Sequence, residues 1–201
     1  MQETRTVTID GVTLTVIIER KAVKNINARL RDETLMVSAP QRVAQATLDQ
    51  AITELARRLV HRVHKRRVND EEDAITLVRR VAARFPQPPA IERAEFTLAE
   101  ARWGSYSAAT RTVRLNAVLL RMPRWVLEAV AAHEVAHAIH LDHSPSFWRL
   151  LRRACPDTDR AQAFLAAVSW FARAWTTLPP VERALLAGVS DDDLGEPPSL
   201  T

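Results

Sequence analysis

Val126-Leu127-Glu128-Ala129-Val130-Ala131-Ala132-His133-Glu134-Val135-Ala136-His137-Ala138-Ile139 is the stretch on which the reading of this chain turns. It follows Pro123, a residue suited to a helix start because the first turn leaves its N–H groups unpaired anyway. Nearly every position is apolar, so a helix here is buried on all sides. Into it are set His133, Glu134 and His137. An unpaired buried polar group costs about 1–3 kcal/mol, so these side chains need partners. Helical residues turn by about 100° and rise by about 1.5 Å, which returns positions four apart to one face. His133 and His137 therefore project side by side, and both can reach one tetrahedral cation at about 2.0–2.1 Å. Glu134 is placed to touch a water on that cation. The alternative is a pair of hydrogen-bonded core histidines, but a metal ion satisfies all three groups together. The spacing is the H-E-x-x-H pattern of zinc-dependent proteolysis.

A hydrolytic zinc site needs a third protein ligand and an open position for water. His140 follows His133 by seven residues, so it lies on nearly the same face but about 10 Å along the axis, too far for a straight helix to share one ion. His143 sits just before Ser144-Pro145, a helix-start signal with serine at the cap and proline in the first turn. A chain that leaves the first helix near His140 and turns back presents His143 from the side, the H-E-x-x-H-x-x-x-x-x-H spacing shared with metzincins. The glycine of the metzincin pattern falls at His140 and is absent. The spacing ranks His143 first, His140 second, and downstream acids such as Asp157 and Asp159 third.

Upstream, the first forty residues read as strands. Val12, Leu14, Val16 and Ile18 alternate with mostly polar neighbours, Asp10-Gly11 is a tight-turn signal, and Ala39-Pro40 ends the last strand. An antiparallel meander is expected. Leu48, Ile52, Leu55, Leu59 and Val63 then recur at helical intervals from about Val43 to Arg67. A second helix is expected from Glu71 to Arg84, capped by Asn69-Asp70. Phe85-Pro86-Gln87-Pro88-Pro89 is a stiff linker that divides the chain. Strands are expected at Arg93–Leu98 and Thr112–Leu115, with Arg102-Trp103-Gly104-Ser105 between them. A third helix in the C-terminal half runs from Pro156-Asp157 to about Trp175. Its stretch Phe164–Trp175 reads as a buried helix or a dimer contact. A short helix follows Pro179-Pro180, and Asp191–Thr201 is a frayed tail.

Composition narrows the class. The chain has 201 residues, 47% hydrophobic, enough for a core without staples. Cys155 stands alone, which excludes a disulfide framework. No apolar run approaches the roughly 18 residues of a membrane span, and no secretory signal opens the chain, so a cytoplasmic protein is expected. The pI near 9.9 hints at nucleic acid. The charge is dispersed, however, and the basic stretch Arg57–Arg67, with His61 and His64, reads as a solvated helix face. Nucleic acid is a partner that is not favoured.

From Arg102 to Asp157 the chain resembles the YgjP-like metallopeptidase family, relatives of the SprT-like zinc proteases. The matching pieces are Arg102-Trp103-Gly104-Ser105, Leu115-Asn116, Pro123, His133-Glu134-Val135-Ala136-His137, His143-Ser144 and Phe147-Trp148. The strand-rich start and long helix are similar too, so the likeness spans roughly residues 10–160. It implies an α+β fold: the N-terminal meander and helices, then a zincin-like catalytic region. One domain is expected over 1–176, split into 1–85 and 90–176, with a partly disordered extension over 177–201. It implies one Zn²⁺ per chain on His133, His137 and His143, with Glu134 as general base against a peptide or protein substrate. Tyr106, Arg102 and His140 are candidates to stabilise the oxyanion, and Trp103 falls beside the cleft. Tyr106 is a departure, because the family often has cysteine there. An extended peptide is expected to add to the sheet edge near Thr112–Leu115. Two alternatives stay open: a metal-dependent nucleotide phosphohydrolase, and a nucleic-acid-associated SprT-like protease or binding module.

Overall fold

The computed structural model describes residues 2–99 and 101–187. The expected frayed tail, Asp191–Thr201, lies outside them. The architecture is α+β, as expected, and it is built around two hydrophobic cores.

The first core begins with strands β1 (Gln2–Ile9) and β2 (Val12–Lys21). They form a hairpin whose turn residues, Asp10 and Gly11, both have positive φ (49° and 80°). That is the geometry that matches strand twist and that Asp-Gly adopts readily. Strands β3 (Asn27–Arg31) and β4 (Thr34–Pro40) form a second hairpin through Asp32, again at positive φ. The two hairpins do not continue as an antiparallel meander. The order is β1-β2-β4-β3, and β2 runs parallel to β4, with Val16 beside Leu35 and Ile18 beside Val37. Residues 22–33, which include β3, form the crossover that a parallel pair requires. The physical reason is burial. Leu35, Val37 and Ala39 of β4 are almost fully buried, whereas β3 carries exposed Arg29 and Arg31 and suits an edge.

Helix α1 (Gln45–Glu71) is 27 residues long, about 40 Å at 1.5 Å per residue. Leu48, Ile52 and Ala56 cover the first sheet, while Val68 enters the second core. The helix runs through the expected Asn69-Asp70 cap because Asn69 has another role. Its Nδ2 donates to the Phe96 carbonyl (3.0 Å), and its Oδ1 accepts from the Phe96 N–H (2.9 Å), docking α1 on the next sheet. Helix α2 (Ala74–Ala82) is capped by Asp73, whose carboxylate accepts from the Ile75 N–H.

The second sheet contains β5 (Arg93–Thr97), β6 (Gly104–Ser107) and β7 (Thr112–Asn116) in the order β5-β7-β6. Strand β7 is paired on both sides, so Thr112–Leu115 is not the free edge anticipated for a peptide; β6 is an edge strand. A 3-10 turn (Ala117–Arg121) leads to α3 (Arg124–Ala136), followed by α4 (Pro145–Ala154), α5 (Thr158–Ala174) and α6 (Pro180–Ala187). Leu77, Val78 and Val81 of α2 pack with Phe96, Val113 and Leu115 of the sheet and Val126, Ala131 and Val135 of α3. Helix α2 thus belongs to the second core although it precedes the proline linker. The buried-helix reading of Phe164–Trp175 does not hold, since Trp170 is 63% exposed. No helix among the described residues is long and apolar enough to cross a membrane.

Candidate metal centre and cleft

Helix α3 is buried along most of its length, and His133 stands in its last turn with His137 at the C-cap. The helix ends in a tight turn: His140 N–H donates to the Ala136 carbonyl at 2.9 Å, and Ile139 N–H to the same carbonyl at 3.0 Å. The chain bends at Leu141-Asp142 and re-enters as α4. None of residues 137–143 has positive φ, so this reversal needs no glycine at His140. Ser144 caps α4 by accepting from the Phe147 N–H, and Pro145 sits in the first turn, as the sequence signals. His143 thereby faces the two histidines of α3.

The three imidazoles form a near-equilateral triangle with centroid separations of 4.9, 5.0 and 4.7 Å. One nitrogen from each lies within 4.8 Å of the others, the only such group of potential ligands among the described residues. His133 Nε2 and His143 Nε2 are 3.0 Å apart. The His140 carbonyl accepts from His137 Nδ1–H at 3.1 Å, which turns His137 Nε2 toward the cluster. Burial, reinforced by the charges of His137 and His143, pushes His133 down to about 4. Burial lowers His137 as well, against the His140 hydrogen bond. Both shifts favour the neutral ring at His133 and His137, the form that ligates metals. Three imidazole nitrogens converging on one point fit a divalent cation.

Beneath the rings lies Phe147, fully buried, with its centroid 5.0, 4.7 and 4.9 Å from His133, His137 and His143. Trp148 stacks on His143 at 5.7 Å. The pair is core packing behind His143, as expected, but Phe147 braces all three imidazoles. An aromatic three residues into a capped helix is the signal that marks it.

Glu134 is 6% exposed, and burial raises its carboxyl to about 7 against the pull of Arg102. Across from it is Gly104 of β6, where a Cβ would come within 2.6 Å of Glu134 Oε1. Glycine is needed here for close approach. Asn116 holds the segment before β6, its Nδ2 donating to the carbonyls of Ala99 (2.6 Å) and Arg102 (3.2 Å) while its Oδ1 caps Val118 N–H.

The structure brings Arg102, Tyr106, Glu134 and the three histidines around one cleft of about 440 Å³. Trp103 lines the adjoining cavity and packs on the core. His140 contributes its carbonyl and lies outside the ligand group. Asp157 and Asp159 are engaged with Arg160 and Arg152. Among the basic residues of α1, His61 and Arg57 pair with Asp10. Cys155 is buried, which pushes its thiol up.

A crystal structure of the metallopeptidase zymogen of Methanocaldococcus jannaschii jannalysin is 21% identical, with a TM-score of 0.41 over 48% of this chain and 96% of that one. No curated protein matches. A model of the family described as "YgjP-like, metallopeptidase domain" matches residues 56–167, from mid-α1 into α5. That span is more than half of the chain and leaves the first sheet outside, so the chain belongs to the YgjP-like metallopeptidase family.

Proposed function

We propose that this chain is a zinc peptidase that hydrolyses peptide bonds at the cleft between β6 and α3. The observation that carries the reading is the convergence of three imidazole nitrogens within 4.8 Å beside a buried carboxylate on the same helix. Three imidazoles favour zinc among the common divalent ions. When bound, the cation supplies Lewis acidity, polarising a carbonyl and bringing the pKa of a water down to about 7.

The remaining chemistry falls to the chain. Glu134 accepts a proton from the water that attacks the carbonyl carbon and returns it to the leaving amine, as a general base and then a general acid. Its carboxyl, raised by burial, is matched to both halves of that task. Gly104 leaves space for the carboxylate to approach the substrate side of the cleft. Arg102 and Tyr106, both facing the cleft, are the donors available to the tetrahedral oxyanion. The backbone of β6 offers an extended peptide a strand to pair with. Phe147 keeps water from the far side of the imidazoles.

The test is metal content measured together with cleavage of a mixed peptide library. About one zinc per folded chain and turnover that disappears in Glu134→Gln, with metal retained, are expected. Full folding without metal, or turnover that survives Glu134→Gln, overturns the reading. Phosphate release from a nucleotide panel, in place of peptide cleavage, would transfer the same centre to phosphoryl chemistry.

A further inference from the structure

A second cavity, of about 480 Å³, opens from the wall of the cleft and shares Arg102, Gly104, His133 and Glu134 with it. That volume falls within the about 300–1,000 Å³ typical of ligand pockets. Away from the shared mouth its surface comes from Trp103, Ala129 and Val130 of α3, Leu151 of α4, and Leu165 and Ala166 of α5. Polar groups are few: the Thr158 hydroxyl already donates to the Cys155 carbonyl at 2.6 Å, and Gln162 and Ser169 stand on the α5 side. Glu134 is the one acid among its lining residues, and Arg102 and His133 are its basic side chains.

The cavity exists because of how α5 is seated. Phe164 meets Trp125 edge-on at 5.5 Å, and Arg160 lies over the same indole at 4.1 Å. This anchors one side of α5 beside α3. The positions that face the cavity, 158, 161, 162, 165, 166 and 169, repeat at helical spacing and are mostly small. Large residues on that stripe would fill the space. Small ones leave an apolar hollow whose mouth is formed by the residues closest to the reacting bond.

The geometry points to this hollow as a specificity pocket. It receives the side chain of a bulky apolar residue, such as Leu or Phe, directly flanking the scissile bond. Ala166 and Leu165 form its α5 wall and set its width. The inference rests on the peptidase reading for its substrate class. The Arg102 cation at the mouth, with no acid deeper inside, selects against Lys and Arg at the same position.

The test uses the zinc-loaded protein and peptides varied at the two residues flanking the cleaved bond. At one of them, Leu or Phe is expected to exceed Gly or Asp in kcat/KM by about 10–200-fold, the range a hydrophobic pocket provides. Ala166→Trp occupies the hollow from an exposed helix position, and should cut that ratio at least tenfold. Leu165→Ala widens the pocket and should move the preference toward Trp. A flat preference in the wild type, or unchanged ratios in both variants, overturns the pocket and leaves the peptidase reading standing. If no peptide is cleaved, the peptidase reading falls and binding decides the pocket. N-acetyl-phenylalanine amide, but not N-acetyl-glycine amide, should then saturably shift the Trp103 indole resonance, and Ala166→Trp should abolish the shift. No shift in the wild type overturns the inference.

Discussion

The two cores of this protein are made to similar plans, a sheet covered on one face by helix, yet they bury different things. Under α1 the fully buried residues of the first core are apolar: Leu14, Val16, Ile18, Leu35, Val37, Leu48 and Ile52 among them. The buried polar side chains among the described residues, Thr112, Glu134 and Thr158, all lie with the second core. Thr158 is paired with a backbone carbonyl and Thr112 with another, while Glu134 has the electrostatic influence of Arg102 and no hydrogen bond of its own among the described residues. Burial of this carboxyl at the cleft disfavours its charged form, and groups so perturbed cluster where chemistry is done. The first core is therefore read as stability, and the second as stability relinquished at one point for reactivity. The family match begins at residue 56, close to where α1 passes from one core to the other.

The sharpest break of that comparison comes from the imidazoles. His143→Ala should remove bound metal and reduce peptide turnover to background, because His133 and His137 alone leave the cation underligated. His140→Ala should keep both, since the backbone carbonyl that orients His137 survives the substitution. Metal analysis after gel filtration checks both variants, and the opposite pattern would make His140 the ligand. Next is Glu134→Gln, which preserves shape and hydrogen-bonding size but cannot take a proton. A loss of about 10²–10⁴-fold in kcat, at unchanged metal content, is expected for a general base.

Gly104→Ala sharpens the comparison differently, by moving a catalytic group from across the cleft. The added methyl meets Oε1, Cγ and Cδ of Glu134 between 2.6 and 2.9 Å away, so the side chain must shift. A displacement near 1 Å costs about 100-fold in rate. The clash is with a side chain that borders the open cleft and not with backbone, so kcat should fall by more than the melting temperature does. Ile52→Ala in the first core should do the reverse. Its side chain is fully buried, and truncation should cost about 2–5 kcal/mol. The molecules that stay folded should bind one metal and turn over normally. Loss of metal stoichiometry in Ile52→Ala would mean that the two cores are not separable in function.

Much of this was legible in the residues themselves. The alternation of Leu14, Val16 and Ile18 states which face of a strand is buried, the apolar run of α3 states that the helix is interior, and Ser144-Pro145 states where α4 starts. What remained hidden depends on neighbours that periodicity does not encode. Alternation says nothing about strand order, so the parallel pairing of β2 with β4, and the central place of β7, needed three dimensions. Asn69 looks like a cap because its amide suits one, yet it spends both groups on the Phe96 backbone of a strand distant in sequence. The His140 contribution is a main-chain carbonyl, to which residue identity is nearly blind. The hollow beside Glu134 is set by small residues on α5, and small residues in a helix carry no signal of what they leave empty.

The smallest effect separates the two regions by charge. Glu128, on the outer side of α3, faces Arg84, Arg124 and Arg80, with Arg124 also reaching Glu72. Burial opposes its ionisation, but the hydrogen bonds from Arg84 and Arg124 outweigh that and hold its carboxyl below the usual range. A carboxyl depressed in the folded state stabilises above its unfolded pKa, about 4.3, and loses that contribution as pH falls through the folded value. Glu128→Gln should therefore cost no more than about 1 kcal/mol at neutral pH, after allowance for solvent screening. The difference from wild type should close on acidification. On the first core, Asp49 pairs with Arg5 at 45% and 30% side-chain exposure, so Asp49→Asn should cost less than Glu128→Gln. Urea titrations of the two variants at neutral and acid pH check the order. A larger cost for Asp49→Asn would place the stronger electrostatic tie on the first sheet rather than between α2 and the helix that carries His133.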